Sequence, residues 1–186
     1  MTIRIIGGEL KGRKLATVRG LKTRPTTERV RESIFNILGN RIRGARVLDL
    51  YAGTGAMGIE ALSRGAESVL FADDHKAALA ALQKNIKMCS LENRSNTIKW
   101  DIFSNLNILR SYSPAFNLVF LDPPYDQNMI HPTLSNLVTS RCLESGSRLV
   151  IEHSQRESIA ETLPEFKISD RRRYGKTLVS FLIYMV

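Results

Sequence analysis

Long apolar runs are missing from this chain of 186 residues. No stretch approaches the ~20 consecutive apolar residues of a membrane-spanning helix, and no apolar signal segment follows Met1-Thr2-Ile3-Arg4. Cysteine is scarce: Cys89 and Cys142 belong to no motif and suit a reducing, cytoplasmic setting. The three histidines form no pair at metal-ligand spacing, so no metal centre is expected. Internal repeats, low-complexity tracts and Pro/Ser-rich linkers are also absent. Together these absences argue against a membrane protein, a disulfide-stapled domain, a zinc module and a repeat array. What remains is ordinary globular composition, 43% hydrophobic and 24% charged, in a length that suits one domain with a real core.

Acidic residues are short in one place. Residues 1–46 carry twelve Lys/Arg against three acids, which already equals the +9 of the whole chain; the other 140 residues balance at fifteen of each sign. Charge concentrated in this way is the footprint of a polyanionic partner.

Within that basic quarter, residues 4–8 and 10–15 read as short strands joined by a glycine turn. Thr26 or Thr27 is placed to cap a following helix. Val30, Ile34 and Leu38 recur at helical spacing with Phe35 beside them, and Arg29 and Arg31 are expected to project from the other sides. From residue 46 strands and helices alternate. Strands are expected over 46–51, 68–72, 97–100, 117–121 and 148–152. Helices are expected over 76–89, 128–139, briefly near 103–109, and ending over 159–163. Two last strands, 167–173 and 178–185, meet at Tyr174-Gly175. Repeated β-α units imply a largely parallel sheet covered by helices, with ligands beyond the carboxyl ends of its strands.

Two motifs fall at such strand ends. In Val47-Leu48-Asp49-Leu50-Tyr51-Ala52-Gly53-Thr54-Gly55-Ala56-Met57-Gly58, a strand runs through a glycine turn into a helix. The glycines match G-x-G-x-x-G and let backbone approach a ligand closely. Asp49, inside the strand, can meet a ligand cation. The second motif, Asp122-Pro123-Pro124-Tyr125, ends the apolar run 118–121. Asp122 can accept a hydrogen bond from an amine. Extended backbone before a proline presents the Pro123 carbonyl as a second acceptor, and the Tyr125 ring can stack on a flat heterocycle. Two acceptors and a ring describe a site for an exocyclic base amine. A dehydrogenase would have no use for it.

D-x-x-x-G-T-G followed by D-P-P-Y resembles the S-adenosylmethionine-dependent amino-methyltransferases. Arg4-Ile-Ile-Gly-Gly, Gly12-Arg-Lys-Leu, Arg24-Pro-Thr, Arg29-Val-Arg-Glu-Ser-Ile-Phe-Asn-Ile-Leu38 and Gly58-Ile-Glu-Ala-Leu-Ser-Arg64 narrow it. They resemble the bacterial small-subunit (16S) ribosomal RNA guanine-N2 methyltransferase family over nearly the whole chain. That resemblance implies a Rossmann-like α/β methyltransferase fold: a mostly parallel seven-stranded sheet flanked by helices (46–186) with a small basic N-terminal extension (1–45). It implies S-adenosyl-L-methionine held by Asp49, Ala52, Gly53, Thr54, Gly55, Ala56 and Gly58, with Asp101 and Ile102 along the adenine. Asp122, Pro123, Pro124 and Tyr125 would hold the guanine amine. Arg4, Lys11, Arg13, Arg24, Thr26, Arg29 and Arg31 would contact ribosomal RNA or the assembling small subunit. A cytoplasmic monomer is expected. One departure stands out: the acidic residue that usually binds the cofactor ribose is replaced by Ala72, leaving Asp73 or Asp74 for that role. The alternatives are a DNA adenine-N6 methyltransferase, whose motif can also be Asp-Pro-Pro-Tyr, and an RNA-binding protein that has lost catalysis on the same fold.

Overall fold

The computed structural model describes residues 3–18, 26–159 and 163–186. It begins with a minimal antiparallel pair, β1 (Ile3–Arg4) and β2 (Lys14–Leu15), in which Ile3 faces Leu15. Helix α1 (Glu28–Leu38) follows. The Thr27 hydroxyl caps it by accepting from the Val30 N–H, and Gly39 ends it at φ 53°. Then come β3 (Arg46–Leu50), α2 (Ala56–Ser63), β4 (Ser68–Asp73), α3 (Lys76–Met88), β5 (Ser95–Lys99), β6 (Phe116–Leu121) and α4 (Ile130–Ser140). The chain closes with β7 (Leu143–Ser154), β8 (Phe166–Tyr174) and β9 (Thr177–Tyr184).

Seven strands form one sheet in the order β5-β4-β3-β6-β7-β9-β8. The first five are mutually parallel, while β9 runs antiparallel to both β7 and β8. This is the mostly parallel seven-stranded Rossmann-like sheet expected above. Both faces are covered, so the central strands read as continuous apolar runs rather than alternating ones. Val47, Val69 and Phe71 pack with Ile34, Phe35, Ile59, Leu62, Leu82 and Ile86 from α1, α2 and α3. Leu48, Leu50, Leu70 and Ala72 point to the other face, with Leu134 and Leu137 of α4 and Leu106 and Leu109 of the β5–β6 connection.

The strand order reverses between β3 and β6. From β3 the chain moves outward to β4 and β5, then returns to place β6 on the other side of β3. Connections leaving β3 and β6 therefore diverge and open a crevice at their carboxyl ends. The register sets Asp49 opposite Phe120 and Leu50 opposite Leu121. Asp122, one residue past the pairing, emerges at that crevice.

The N-terminal segment has too little strand to satisfy its own backbone, and buried side chains of the helices do it instead. Glu60, fully buried in α2, accepts from the N–H groups of Ile6 (2.7 Å) and Gly7 (2.8 Å) and from Arg64 Nε (2.7 Å). Ser63 Oγ donates to the Gly7 carbonyl and accepts from the Leu10 N–H. Asn85, fully buried in α3, clasps Ala16 by accepting from its N–H and donating to its carbonyl. Arg64 also lies over the Phe35 ring, 4.9 Å from its centroid.

Several expectations are corrected. Arg31 does not project from α1. It is 1% exposed, donates to the Arg4 carbonyl at 2.7 Å, and has its pKa lowered by burial against the opposing pull of Glu60 and Glu28. It fastens the extension to the core and cannot serve as an RNA contact. The short helix near 103–109 is a 3-10 turn at Asn107–Ser111, and β7 is far longer than 148–152, with Leu143 set opposite Phe116 of β6 and β9 paired along Arg148–Ser154. Most of the expected helix end over 159–163 lies outside the described residues, as does Arg24.

Glu60→Ala strands two backbone donors and the Arg64 guanidinium. It should lower the free energy of unfolding in urea by about 3 kcal/mol or more. A loss under about 1 kcal/mol would mean that Ser63, Asn85, Arg31 and apolar contacts hold the extension without Glu60.

Candidate active site

The glycine loop leaves β3 through Tyr51, which takes φ 57° without being glycine. Non-glycine residues rarely adopt such backbone, and it concentrates near functional sites. The Tyr51 hydroxyl bonds Thr133 on α4 at 2.9 Å, which fixes the ring at the crevice. The loop then enters α2 through Gly55 at φ 81°.

Two of the three fingerprint glycines serve packing rather than contact. A Cβ on Gly55 would lie 2.3 Å from Leu82 Cδ1, and one on Gly58 would lie 2.3 Å from Phe71 Cε1. Both glycines are buried and neither lines the cleft. Only by lacking side chains do they let α2 sit close enough to the sheet. Gly53, Ala52, Thr54 and Ala56 do line the cleft.

Asp49 ties this loop to the sheet. Its carboxylate accepts from the Gly58 N–H at 2.9 Å, one of the first-turn donors that a helix cannot satisfy itself. Burial pushes its pKa up to about 8; the Gly58 N–H opposes that rise and the charge of Asp73 adds to it. Asp73 is the last residue of β4, since the strand runs one residue past the fully buried Ala72. Its two oxygens accept from the N–H groups of Gly53 and His75, each at 2.8 Å, and it lines the cleft beside the exposed Asp74. The acidic strand end is therefore present, displaced by one residue.

Asp101 and Ile102 do not join the cleft lining. Asp101 is exposed and caps the following turn, accepting from the N–H groups of Phe103 and Ser104 and from the Ser104 hydroxyl, bonds that lower its pKa. Ile102 is buried in the core. The described structure thus assigns both to the local turn and its packing.

Across the crevice stand Asp122, Pro123, Pro124 and Tyr125, which line the same cleft of about 650 Å³ as Asp49, Asp73 and the glycine loop. Desolvation first, then the charges of Glu152 and Asp49, push the Asp122 pKa well above the carboxylate range; the Thr26 hydroxyl offsets part of this. The Tyr125 ring is 38% exposed. Its hydroxyl donates to Glu152 Oε1 at 2.7 Å and stays a donor, because burial and Glu152 raise its pKa. Ile3, Thr17, Val18 and Thr26 of the N-terminal segment complete the wall.

Among the remaining expected RNA contacts, Arg4, Lys11, Arg13 and Arg29 are exposed. Arg4 pairs with Glu28 at 3.0 Å, and Arg13 donates to the Met88 carbonyl. Thr26 is not the helix cap; its hydroxyl donates to Glu152 Oε2 at 2.7 Å.

Sequence reasoning missed several site residues. Glu152, 8% exposed on β7, reads as strand-end packing, yet it holds both Tyr125 and Thr26. Asn85 bonds the Thr54 carbonyl at 2.9 Å as well as Ala16, joining the glycine loop to the extension. His75 caps α3 through Nδ1 and lines the cleft. Asn85 carried a usable signal, a polar amide on the helix face that holds Ala78 and Leu82.

A family model described as "Conserved hypothetical protein 95" matches residues 3–183. The chain belongs to that family. It is 36% identical over 178 residues to "Putative rRNA methyltransferase YlbH" of Bacillus subtilis, covering 96% of this chain and 97% of that one. It is also 36% identical over 163 residues to "Ribosomal RNA small subunit methyltransferase D" of Escherichia coli, covering 87% and 79%. Among solved structures, "Putative methyltransferase yhhF from Escherichia coli" superposes with a TM-score of 0.87 at 30% identity, covering 100% of this chain and 99% of that one. Family membership and fold both agree with the resemblance carried by the motifs.

Asp49 has a folded pKa above the ~3.9 of an unfolded aspartate, so the folded chain keeps an extra proton between about pH 4 and 8. Its contribution to stability is full below about pH 4, falls as pH rises and is lost by about pH 8. The raised Asp122 acts in the same direction. The urea midpoint of the free protein should therefore fall from pH 5 to pH 9, and fall less in Asp49→Asn. Equal slopes in the two proteins would contradict a raised Asp49.

Proposed function

We propose that the chain transfers a methyl group from S-adenosyl-L-methionine to the exocyclic N2 amine of a guanine in small-subunit ribosomal RNA. One observation carries this reading: Asp122-Pro123-Pro124-Tyr125 and the Asp49 glycine loop face each other across a single cleft at the strand reversal. The family relatives whose names specify ribosomal RNA methylation support the substrate class.

The donor set suits this cofactor. Asp49, Asp73 and Asp122 make the cleft acidic, and a ligand with ammonium and sulfonium groups would compensate carboxylates that burial alone penalises. When bound, the cofactor would supply a methyl carbon open to direct displacement by an amine. The N–C bond forms as the S–C bond breaks, the sulfur leaves as a neutral thioether, and the surplus amine proton passes to Asp122 or water. Asp49, Ala52, Gly53 and Thr54 would hold its amino-acid end, and Asp73, with Asp74 beside it, would take the ribose hydroxyls. Asp122 and the Pro123 carbonyl would accept the two amine N–H groups and turn the nitrogen lone pair toward the methyl. The Tyr125 ring would stack on the base. Charge then develops on nitrogen next to two fixed acceptors, which stabilise it, while the cleft holds the reactants in line. A base inside an RNA stem has to be unstacked to enter. Arg4, Lys11, Arg13 and Arg29 would grip the flanking phosphates. That β4 ends on Asp73 rather than Ala72 favours a catalytic chain over an impaired binder.

Labelled cofactor offered with unmodified 16S RNA, small subunits or DNA tests the substrate. Label in guanosine N2 is expected, and label in DNA adenine would overturn the reading. Asp122→Asn should lower kcat by about 10²- to 10³-fold with cofactor affinity within about threefold. Near-normal turnover would remove Asp122 from the chemistry. RNA affinity should fall steeply with salt, and replacing Lys11 and Arg29 by Ser should flatten that slope by about one unit for each phosphate no longer gripped.

A further inference from the structure

We infer that Glu152 is a positioning residue that locks the base-stacking ring of Tyr125 to the N-terminal RNA-facing segment through Thr26. This rests on the methyltransferase reading and adds to it a residue that the motifs do not contain.

Glu152 is 8% exposed, and each oxygen of its carboxylate is used once. Oε1 accepts the Tyr125 hydroxyl and Oε2 the Thr26 hydroxyl, both at 2.7 Å. The two donors lie 27 and 126 residues away along the chain. Tyr125 belongs to the loop after β6, whereas Thr26 stands immediately before the N-cap of α1. β7 supplies the carboxylate from a central strand, parallel to β6 and paired on its other side with β9.

A tyrosine ring 38% exposed at a cleft mouth has little packing to fix its orientation. A short charge-assisted bond at its far end supplies what packing does not. The same carboxylate holds the start of the helix that carries the exposed Arg29. Movement of the RNA-facing segment is thereby transmitted to the ring that receives the base. Thr177 at the start of β9 adds a weaker contact to the Tyr125 hydroxyl at 3.4 Å.

Glu152 also faces Asp122. The groups acting on Asp122 are Glu152 from β7, Asp49 from β3 and the Thr26 hydroxyl. Neutralising Glu152 while keeping its shape removes a negative neighbour, so the ionisation of Asp122 moves to lower pH. That shift reports the charge of Glu152, whereas the loss in Glu152→Ala that Glu152→Gln restores reports its two hydrogen bonds. Glutamine separates the two roles, because its oxygen can accept from Tyr125 while its amide donates to the Thr26 oxygen.

The test uses the full-length protein, purified 16S RNA and labelled cofactor. Glu152→Ala should lower kcat/KM for RNA by about 10²-fold, the scale of a small misplacement of reacting groups, with affinity for S-adenosylhomocysteine within about threefold of wild type. Glu152→Gln should recover most of that loss and shift the acid limb of the pH–kcat/KM profile to lower pH. Tyr125→Phe and Thr26→Val each remove one arm and keep the ring, so they carry the test if Glu152→Ala does not fold. Each should raise the RNA KM or lower kcat, and the double variant should lose less than the sum of the two in free energy. Wild-type rates in Glu152→Ala, or strict additivity of the two arms with an unshifted acid limb in Glu152→Gln, would overturn the positioning role. Wild-type protein that labels no RNA would instead overturn the functional reading, so the two failures are distinguishable.

Discussion

The bond from Asp49 to the Gly58 N–H is the constraint on which the cleft depends. It joins the end of β3 to the first turn of α2 and so sets how sharply the glycine loop must turn. A helix N-terminus attracts negative charge, but the carboxylate is buried, and desolvation raises its pKa to about 8. The loop must then pass through Tyr51 at φ 57° and Gly55 at φ 81°. Leu82 and Phe71 press against Gly55 and Gly58, where any Cβ would collide. One hydrogen bond thus depends on two glycines, one strained tyrosine and the packing of α2 and α3.

Much of this was legible because it follows from local rules. Apolar runs at 47–50, 69–72 and 118–121 had to be strands covered on both faces, and the helix from 76 showed its apolar stripe directly. The cleft at the carboxyl ends followed from the alternation of strands and helices. Arg31 was misjudged because charge predicts exposure except where a long side chain finds a buried acceptor; here it finds the Arg4 carbonyl. Glu152 escapes notice in the sequence for a related reason. A carboxylate at the end of a strand looks the same in sequence whether it meets solvent or, as here, two hydroxyls from segments far apart in the chain. Asp101 caps its own turn, a use that its place after the third strand does not reveal.

The basic extension and the acidic cleft answer different physical demands. Under the proposed reading, the exposed Arg4, Lys11, Arg13 and Arg29 would meet phosphates in high dielectric, where each contact is modest and sensitive to salt. The buried acids act where charge is costly unless compensated. Separation of the two fields is maintained by residues that are charged but taken up by structure. Glu60 spends its oxygens on Ile6, Gly7 and Arg64, and Arg31 is sealed in the core. Basic residues counted in sequence therefore overstate the cationic surface.

Base identity has to be read outside the Asp122–Tyr125 motif. Guanine N2 and adenine N6 are both planar exocyclic amines, and two acceptors with a stacking ring suit either. What distinguishes the bases is the rest of the Watson–Crick edge, where guanine offers a ring N–H donor and a carbonyl acceptor. Groups that read this edge must stand beside Tyr125 without belonging to the cofactor side of the cleft. Thr26, which shares Glu152 with Tyr125, lines the cleft with Ile3, Thr17 and Val18, all on the segment that Glu60 and Asn85 fasten to the core. Under the proposed reading, discrimination and phosphate gripping then reside in one piece of chain. On that reading Glu152, bonded to Thr26 on that piece and to Tyr125 across from it, is where recognition of the base would meet recognition of its amine.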